Sequence, residues 1–540
     1  MTQFVRRNAI NFGKIDAKSA MTTRDARSRK LFIDAFAVPP TFNKEEFLSG
    51  DRYLIYGSKG SGKTALLRYM MEEEKKQGNV TKFIVFDEEI SQQEIDVIGS
   101  VLDIEVVDTP DIGNLTEVRD MWSLFLVKSI CDVMLGAKDR VNDIDKIAKL
   151  GKIIEEALGG SGKTLMKRIV RTIRAGSLRF KIGHSEFAEL EGSLQFERDT
   201  DEGIAFGRFA EVVLKILCSL DYPLDTKFCI YIDELNLSML EKKQHKKDSI
   251  LIRDLVQSIG YLNRIFSEAG IPIYLYAAIR IEVAKAINVS RNEIDKYLID
   301  HGQKINWHTG LDVSRYPLFS IIEQRIIAVE YDAVKKTHKP HEIWKEYFAS
   351  DLFGVDCKRF ISEITWCNPR DIVNLFNLAS LAMPHRPHYD TEVFASISHD
   401  YSERVWSERS EELNAEHSMT VVNAIKRLLS GGYHHFKIET LAKRAAQLSS
   451  DKVIQQVCNT VGIEKICRDL YHVGVVGQSL PQKDNSQGGH ISSIVQTWFY
   501  RDNVEFDSSQ WMIVHLGLYP ALRLASNWNA KMFGKDARVT

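Results

Sequence analysis

Tyr53-Leu54-Ile55-Tyr56-Gly57-Ser58-Lys59-Gly60-Ser61-Gly62-Lys63-Thr64 is the segment around which this 540-residue chain is organised. Tyr53 to Tyr56 is a short β-prone run of the kind a buried strand uses, and the following Ala65-Leu66-Leu67-Arg68-Tyr69-Met70 is helix-forming. Between them, Gly57-x4-Gly62-Lys63-Thr64 fits the Walker A pattern. Its glycines let backbone N–H groups wrap phosphate oxygens, its lysine reaches the β- and γ-phosphates, and its threonine holds Mg²⁺. An anion there sits at a helix N-terminus, where free N–H groups and the dipole favour negative charge. The expected nucleotide contacts are Gly57, Ser58, Lys59, Gly60, Ser61, Gly62, Lys63, Thr64 and Ala65.

Phosphoryl transfer also needs charge neutralisation and a positioned water. Lys227-Phe228-Cys229-Ile230-Tyr231-Ile232-Asp233-Glu234 is an apolar strand closing on two acids, the form of a Walker B motif. Asp233 is expected to share Mg²⁺ with Thr64, and Glu234 to polarise the attacking water. Residues 82–87, 271–280 and 303–309 read as further strands. Arg280 ends one of them, where open α/β sheets place ligand-facing residues; a γ-phosphate sensor and a surface salt bridge both fit it. A look-alike at 157–164 follows helical rather than strand periodicity, so it reads as a Gly/Ser turn between helices.

Hydrophobic content of 44% and charged content of 27% place the chain among ordinary globular proteins. Its length is enough for about three or four domains. A net charge of −2 removes any whole-molecule attraction to nucleic acid, so such binding must come from local patches. No apolar run reaches the roughly 18 residues of a membrane span, and the N-terminus has no apolar signal region. Seven scattered cysteines without a CxxC pair read as reduced thiols and not as a zinc site. The expectation is a cytoplasmic protein with no membrane contact.

The expected organisation is an N-terminal extension at 1–50 packed on the nucleotide domain, a P-loop domain at 51–312 with a helical and hairpin insertion at about 115–200, a helical segment at 313–417, and a winged-helix-like domain at 418–540. Within the insertion, Lys167, Arg171 and Arg174 form one face of a basic amphipathic helix. A solvated face, a nucleic-acid contact and an acidic subunit interface all fit it. Asn368-Pro369-Arg370-Asp371 suits a helix start, with Asn368 before Pro369 in the first turn. In 418–540, helices at 421–429, 438–447 and 462–470 precede strands at 494–500 and 510–515, the layout of a winged helix. This region holds 14 Lys and Arg against 9 Asp and Glu, so DNA and protein docking are both open. His385, His388, His434 and His435 have no partners at metal-ligand spacing.

Walker A at 57–64, Walker B at 228–234, the strand ending at Arg280, the helix start at 368–371 and the winged-helix tail together resemble AAA+ ATPases. The likeness is to the origin-recognition and initiator-like branch and to related bacterial STAND-type P-loop ATPases, over about residues 40–525. The resemblance implies an α/β fold: a three-layer αβα P-loop NTPase domain with a parallel sheet, a helical lid and a C-terminal winged helix. It implies an ATP- and Mg²⁺-dependent switch with Glu234 as catalytic base and Lys63 on phosphate. Arg370 would match the sensor arginine of the lid, whereas Arg280 stands where such proteins more often carry a small polar residue. Arg291, Arg315 and Arg325 lie where an arginine finger would be sought. Homo-oligomers, a separately encoded effector, double-stranded DNA and a role in bacterial anti-phage defence are further implications. The alternative is a nucleotide-gated DNA-binding scaffold with little hydrolysis.

Overall fold

The structure is a computed structural model that describes residues 3–86, 112–158, 169, 206–235, 242–281, 283, 293–307, 315–414, 416–484, 490–499, 504–526 and 528–529. The chain forms two compact units. One comprises Thr41–Lys59 and Lys63–Ile305, the other Met1–Pro40, Gly60–Gly62 and Asn306–Thr540.

The first unit is built on a five-stranded sheet of β1 (Leu54–Gly57), β2 (Val80–Val85), β3 (Phe228–Leu235), β4 (Ile273–Arg280) and β5 (Gly302–Lys304). The order is β2-β3-β4-β1-β5, and every pairing is parallel. A parallel sheet is covered on both faces, which is why its strands read as unbroken apolar runs. Phe228 to Ile232 are all buried, as are Leu275 to Ile279. The helix Lys63–Lys76 packs on β1 to β4 through Leu66, Leu67, Met70 and Met71, the i, i+1, i+4, i+5 stripe of an amphipathic helix. The helix Ile112–Gly136 packs on β2 and β3. The helices Ile144–Ala157, Phe206–Cys218 and Lys242–Glu268 surround it, so Met121, Trp122, Leu126 and Ile130 are buried on all sides. The segment expected as an insertion thus begins with a helix that covers the sheet. This α/β arrangement is compatible with a three-layer αβα domain. The segment just before β1 packs on the sheet: Phe47 stacks on Tyr276 of the central strand β4 at 4.4 Å, and Asn43 caps the helix Lys44–Leu48.

The second unit contains the small hairpin of β6 (Asp351–Leu352) and β7 (Val355–Asp356), a set of helices, and an antiparallel sheet. That sheet is β8 (His435–Phe436), β9 (Val476–Asp484), β10 (His490–Thr497) and β11 (Trp511–Val514), in the order β10-β9-β11-β8. Of the N-terminal extension, the described residues up to Pro40 group here, and Thr41 onward groups with the five-stranded sheet. Buried Arg7 donates to the carbonyls of Met383, at 2.7 Å, and Arg386, at 3.2 Å, beyond the helix Pro369–Leu381. Phe12 packs on Phe376, ring centroids 5.0 Å apart. A cation at a helix C-terminus satisfies carbonyls that the helix cannot.

Two expectations for the C-terminal region change. The helix Lys452–Thr460, capped by Asp451, was not foreseen, and the hairpin joins β9 to β10 rather than 494–500 to 510–515. β11 instead pairs with β9 and β8. β9 carries Gln478, Ser479, Pro481 and Lys483, which obscure it as a strand. Gln478 is nonetheless buried, exchanging hydrogen bonds with the backbone of Asp507. Nor is residue 417/418 a break in packing: Trp366 stacks on His515 at 3.5 Å and donates to the Gly474 carbonyl at 2.9 Å. No helix among the described residues is long and apolar enough to cross a membrane.

Candidate functional site

β1 ends at Gly57 and the helix Lys63–Lys76 begins six residues later, so the glycine loop has a strand before it and a helix after it. Gly60 and Gly62 have φ of +81° and +91°, left-handed values that glycine adopts without steric cost. Lys63 Nζ curls back to donate to the carbonyls of Gly57, at 2.9 Å, and Ser58, at 2.8 Å. Thr64 and Ala65 follow in the first helical turn, both half-buried, and Lys59 precedes the tip. Ser61 is buried, and its Oγ has no hydrogen-bond partner among the described residues.

β3 carries the two acids. Asp233 is 3% exposed, and its Oδ2 likewise lacks a partner among the described residues. Glu234 has φ of +62°. The pairing of β3 with β4 passes from Ile232↔Ala277 to Leu235↔Ile279, so β3 takes one more residue than β4 and bulges at the two acids. A bulge re-aims a side chain, and left-handed backbone at a residue with a Cβ stores strain of the sort that gathers at functional sites. β4 lies between β3 and β1 and places Arg280, half-buried, in register with Gly57.

Within the second unit, Gly60–Gly62 group with the helix Pro369–Leu381. Asn368 caps that helix, its Oδ1 accepting from the N–H of Asp371 at 3.0 Å. Arg370 lies in its first turn, and the Arg370 N–H donates to the Gly60 carbonyl at 3.4 Å. Trp307 Nε1 donates to the Ser61 carbonyl at 2.9 Å, a contact the sequence reading did not anticipate. Arg325 is not an accessible finger: it is buried beside Gly13 and the Leu31 carbonyl, and burial lowers its guanidinium to about 10. Arg315 is exposed, while Arg291, the basic helix, the 178–197 hairpin and residues 159–164 of the look-alike lie outside the described residues. The part of the look-alike that is described follows the helix Ile144–Ala157, not a strand.

These residues fit a nucleotide and a divalent cation on two observations. Left-handed glycines at 60 and 62 leave the backbone on either side of Ser61 without side chains, and the buried carboxylate oxygen Oδ2 of Asp233 has no partner among the described residues. A second carboxylate group, Glu416, His417 and Asp469, has its ligand atoms within 4.8 Å of one another. There the Lys465 ammonium already bonds Glu416, at 2.7 Å, and Asp469, at 2.8 Å. None of the cysteines forms a disulfide, and burial pushes the thiols of Cys131 and Cys467 up to about 12, which makes these two inert packing groups. The chain matches no protein-family model, and no curated protein is similar to it at a significant level.

Proposed function

We propose that the chain binds ATP with Mg²⁺ at the loop 57–64 and hydrolyses it. The observation that carries this reading is the glycine loop between a buried parallel strand and a 14-residue helix, with a buried aspartate on the same sheet whose Oδ2 has no partner among the described residues. Backbone N–H groups of the loop and Lys63 Nζ would take the phosphate oxygens, and the Thr64 hydroxyl and Asp233 would hold the cation. Bound nucleotide and Mg²⁺ supply the transferable phosphoryl group and neutralise its charge. Glu234, aimed by the bulge, would orient a water and accept its proton. Arg280, beside Gly57 in the sheet, is placed to meet anionic charge at the loop's start; Arg370 as lid sensor, self-assembly, a separate effector and anti-phage defence rest on the resemblance. The test is phosphate release by the full chain with Mg²⁺ and ATP. Wild type should turn over, and Glu234→Gln should bind ATP with hydrolysis lowered roughly 10²- to 10⁴-fold. A Glu234→Gln protein as fast as wild type removes that residue from the reaction.

The second reading, a nucleotide-gated DNA-binding scaffold, has its own support in the second unit. Apart from the additional helix Lys452–Thr460, the helices Met419–Leu429, Ile438–Gln447 and Ile463–His472 and the strands β8, β9, β10 and β11 follow a sequence compatible with a winged helix. Trp511 stacks on His435 at 4.7 Å with Lys437 Nζ 5.6 Å from its ring, an aromatic and basic surface. Duplex binding that falls steeply with salt supports this reading, and salt-independent or absent binding removes it.

A further inference from the structure

We infer that Trp307, together with the backbone N–H of Arg370, sets the orientation of two successive peptide groups in the glycine loop and so determines its grip on phosphate. This rests on the reading of 57–64 as a phosphate loop.

A loop of this kind binds anions only if its N–H groups turn inward. In a trans peptide, the carbonyl of one residue and the N–H of the next point in opposite directions. Holding a carbonyl on one side therefore fixes the next N–H on the other. The Ser61 carbonyl is held by the Trp307 indole N–H at 2.9 Å, which fixes the N–H of Gly62. The Gly60 carbonyl is held by the Arg370 N–H at 3.4 Å, which fixes the N–H of Ser61. Two adjacent donors are thus turned to the side away from Trp307 and Arg370 before any ligand arrives.

The sequence 368–371 makes the second donor available. The first N–H groups of a helix lack partners inside it. Pro369 has none to offer, and the N–H of Asp371 is taken by Asn368 Oδ1. The N–H of Arg370 is the next in line, and it goes to Gly60. The fit at Gly60 is tight and its backbone left-handed: a Cβ there would fall 3.1 Å from Asn368 Oδ1 and 3.4 Å from Arg370 Cβ, at φ of +81°. Trp307 suits the first role because its indole N–H donates only, from a ring that is 5% exposed and so fixed by packing. The Ser61 carbonyl is buried there, so losing the indole leaves an unpaired acceptor and favours the flipped peptide.

The test uses the full chain and two probes, Mg²⁺–ATP and inorganic tripolyphosphate, titrated by calorimetry. Trp307→Phe removes the donor and keeps an aromatic ring. Expected are about tenfold weaker binding of both probes, a ligand-free thermal midpoint close to wild type, and recovery in Trp307→His, which restores a ring N–H. Tripolyphosphate binding by Trp307→Phe as tight as wild type overturns the inference. Failure of wild type to bind either probe overturns the phosphate-loop reading instead. If Trp307→Phe does not fold, Arg370→Pro is compared with Arg370→Ala, since only proline removes the backbone donor. The proline protein should bind tripolyphosphate about tenfold more weakly than the alanine protein, and equal binding overturns the inference.

Discussion

Two buried aspartates do opposite things in this molecule. Asp469, at the helix Ile463–His472, is saturated: His417 Nε2 lies 2.7 Å from its carboxylate and Lys465 Nζ 2.8 Å. Burial raises its pKa, yet the bonds from His417 and Lys465 outweigh this and hold it below the usual 3.8. Asp233, at the end of β3, keeps a carboxylate oxygen without any partner among the described residues. A buried carboxylate is stable when its charge is answered. One is answered by the protein itself, and the other keeps an oxygen that, on the proposed reading, a cation would answer. Burial of an acid therefore does not identify a site; Asp233 is set apart by an unpartnered oxygen together with its position at the end of β3.

The contrast breaks first at activity. Asp233→Asn should lower Mg²⁺-dependent hydrolysis by roughly a thousandfold, since metal-held charge stabilisation supplies several kcal/mol. Asp469→Asn should leave hydrolysis near wild type. A steady-state assay of both proteins decides it, and equal losses would erase the distinction. Stability should separate them in the reverse sense. Asp469→Asn is expected to lose about 2 kcal/mol in urea unfolding of its unit at neutral pH, with Asp233→Asn unchanged or more stable. The pH dependence sharpens this further. A carboxylate held below its unfolded value contributes stability above about 3.8 that is lost as pH falls through its folded value. Wild type should lose stability on acidification below about pH 4, and Asp469→Asn should show a shallower slope there. The smallest effect concerns the neighbour of Asp233. Glu234→Gly removes the Cβ from a left-handed position and should raise stability by about 1 kcal/mol while abolishing hydrolysis. A destabilised glycine variant would show that the bulge is unstrained.

The parallel sheet is legible in the chain because both of its faces are buried. Residues 227–234 and 271–280 are apolar without interruption, and β3 and β4 occupy Phe228–Leu235 and Ile273–Arg280. The antiparallel sheet is harder to read. β9 is polar, holds a proline and buries a glutamine whose partner lies 29 residues away, so local pattern points to other strands. The candidate site divides in the same way. Lys63, Thr64, Asp233 and Glu234 are singled out by spacing, because the phosphate and Mg²⁺ of the proposed reading would demand those groups beside a strand end. The positive φ of Glu234 depends on a register shift with β4, which no single strand reveals. Trp307 meets Ser61 across 246 residues, and an isolated tryptophan reads as core.

Lys63 begins closed on the carbonyls of Gly57 and Ser58. Capture of the proposed nucleotide would then be an exchange of acceptors and not the filling of a waiting position. The same clasp ties the end of β1 to the start of the next helix. Replacing the lysine with alanine would therefore undo an internal fastening as well as remove a charge, and the variant would differ from wild type in more than its grip on phosphate.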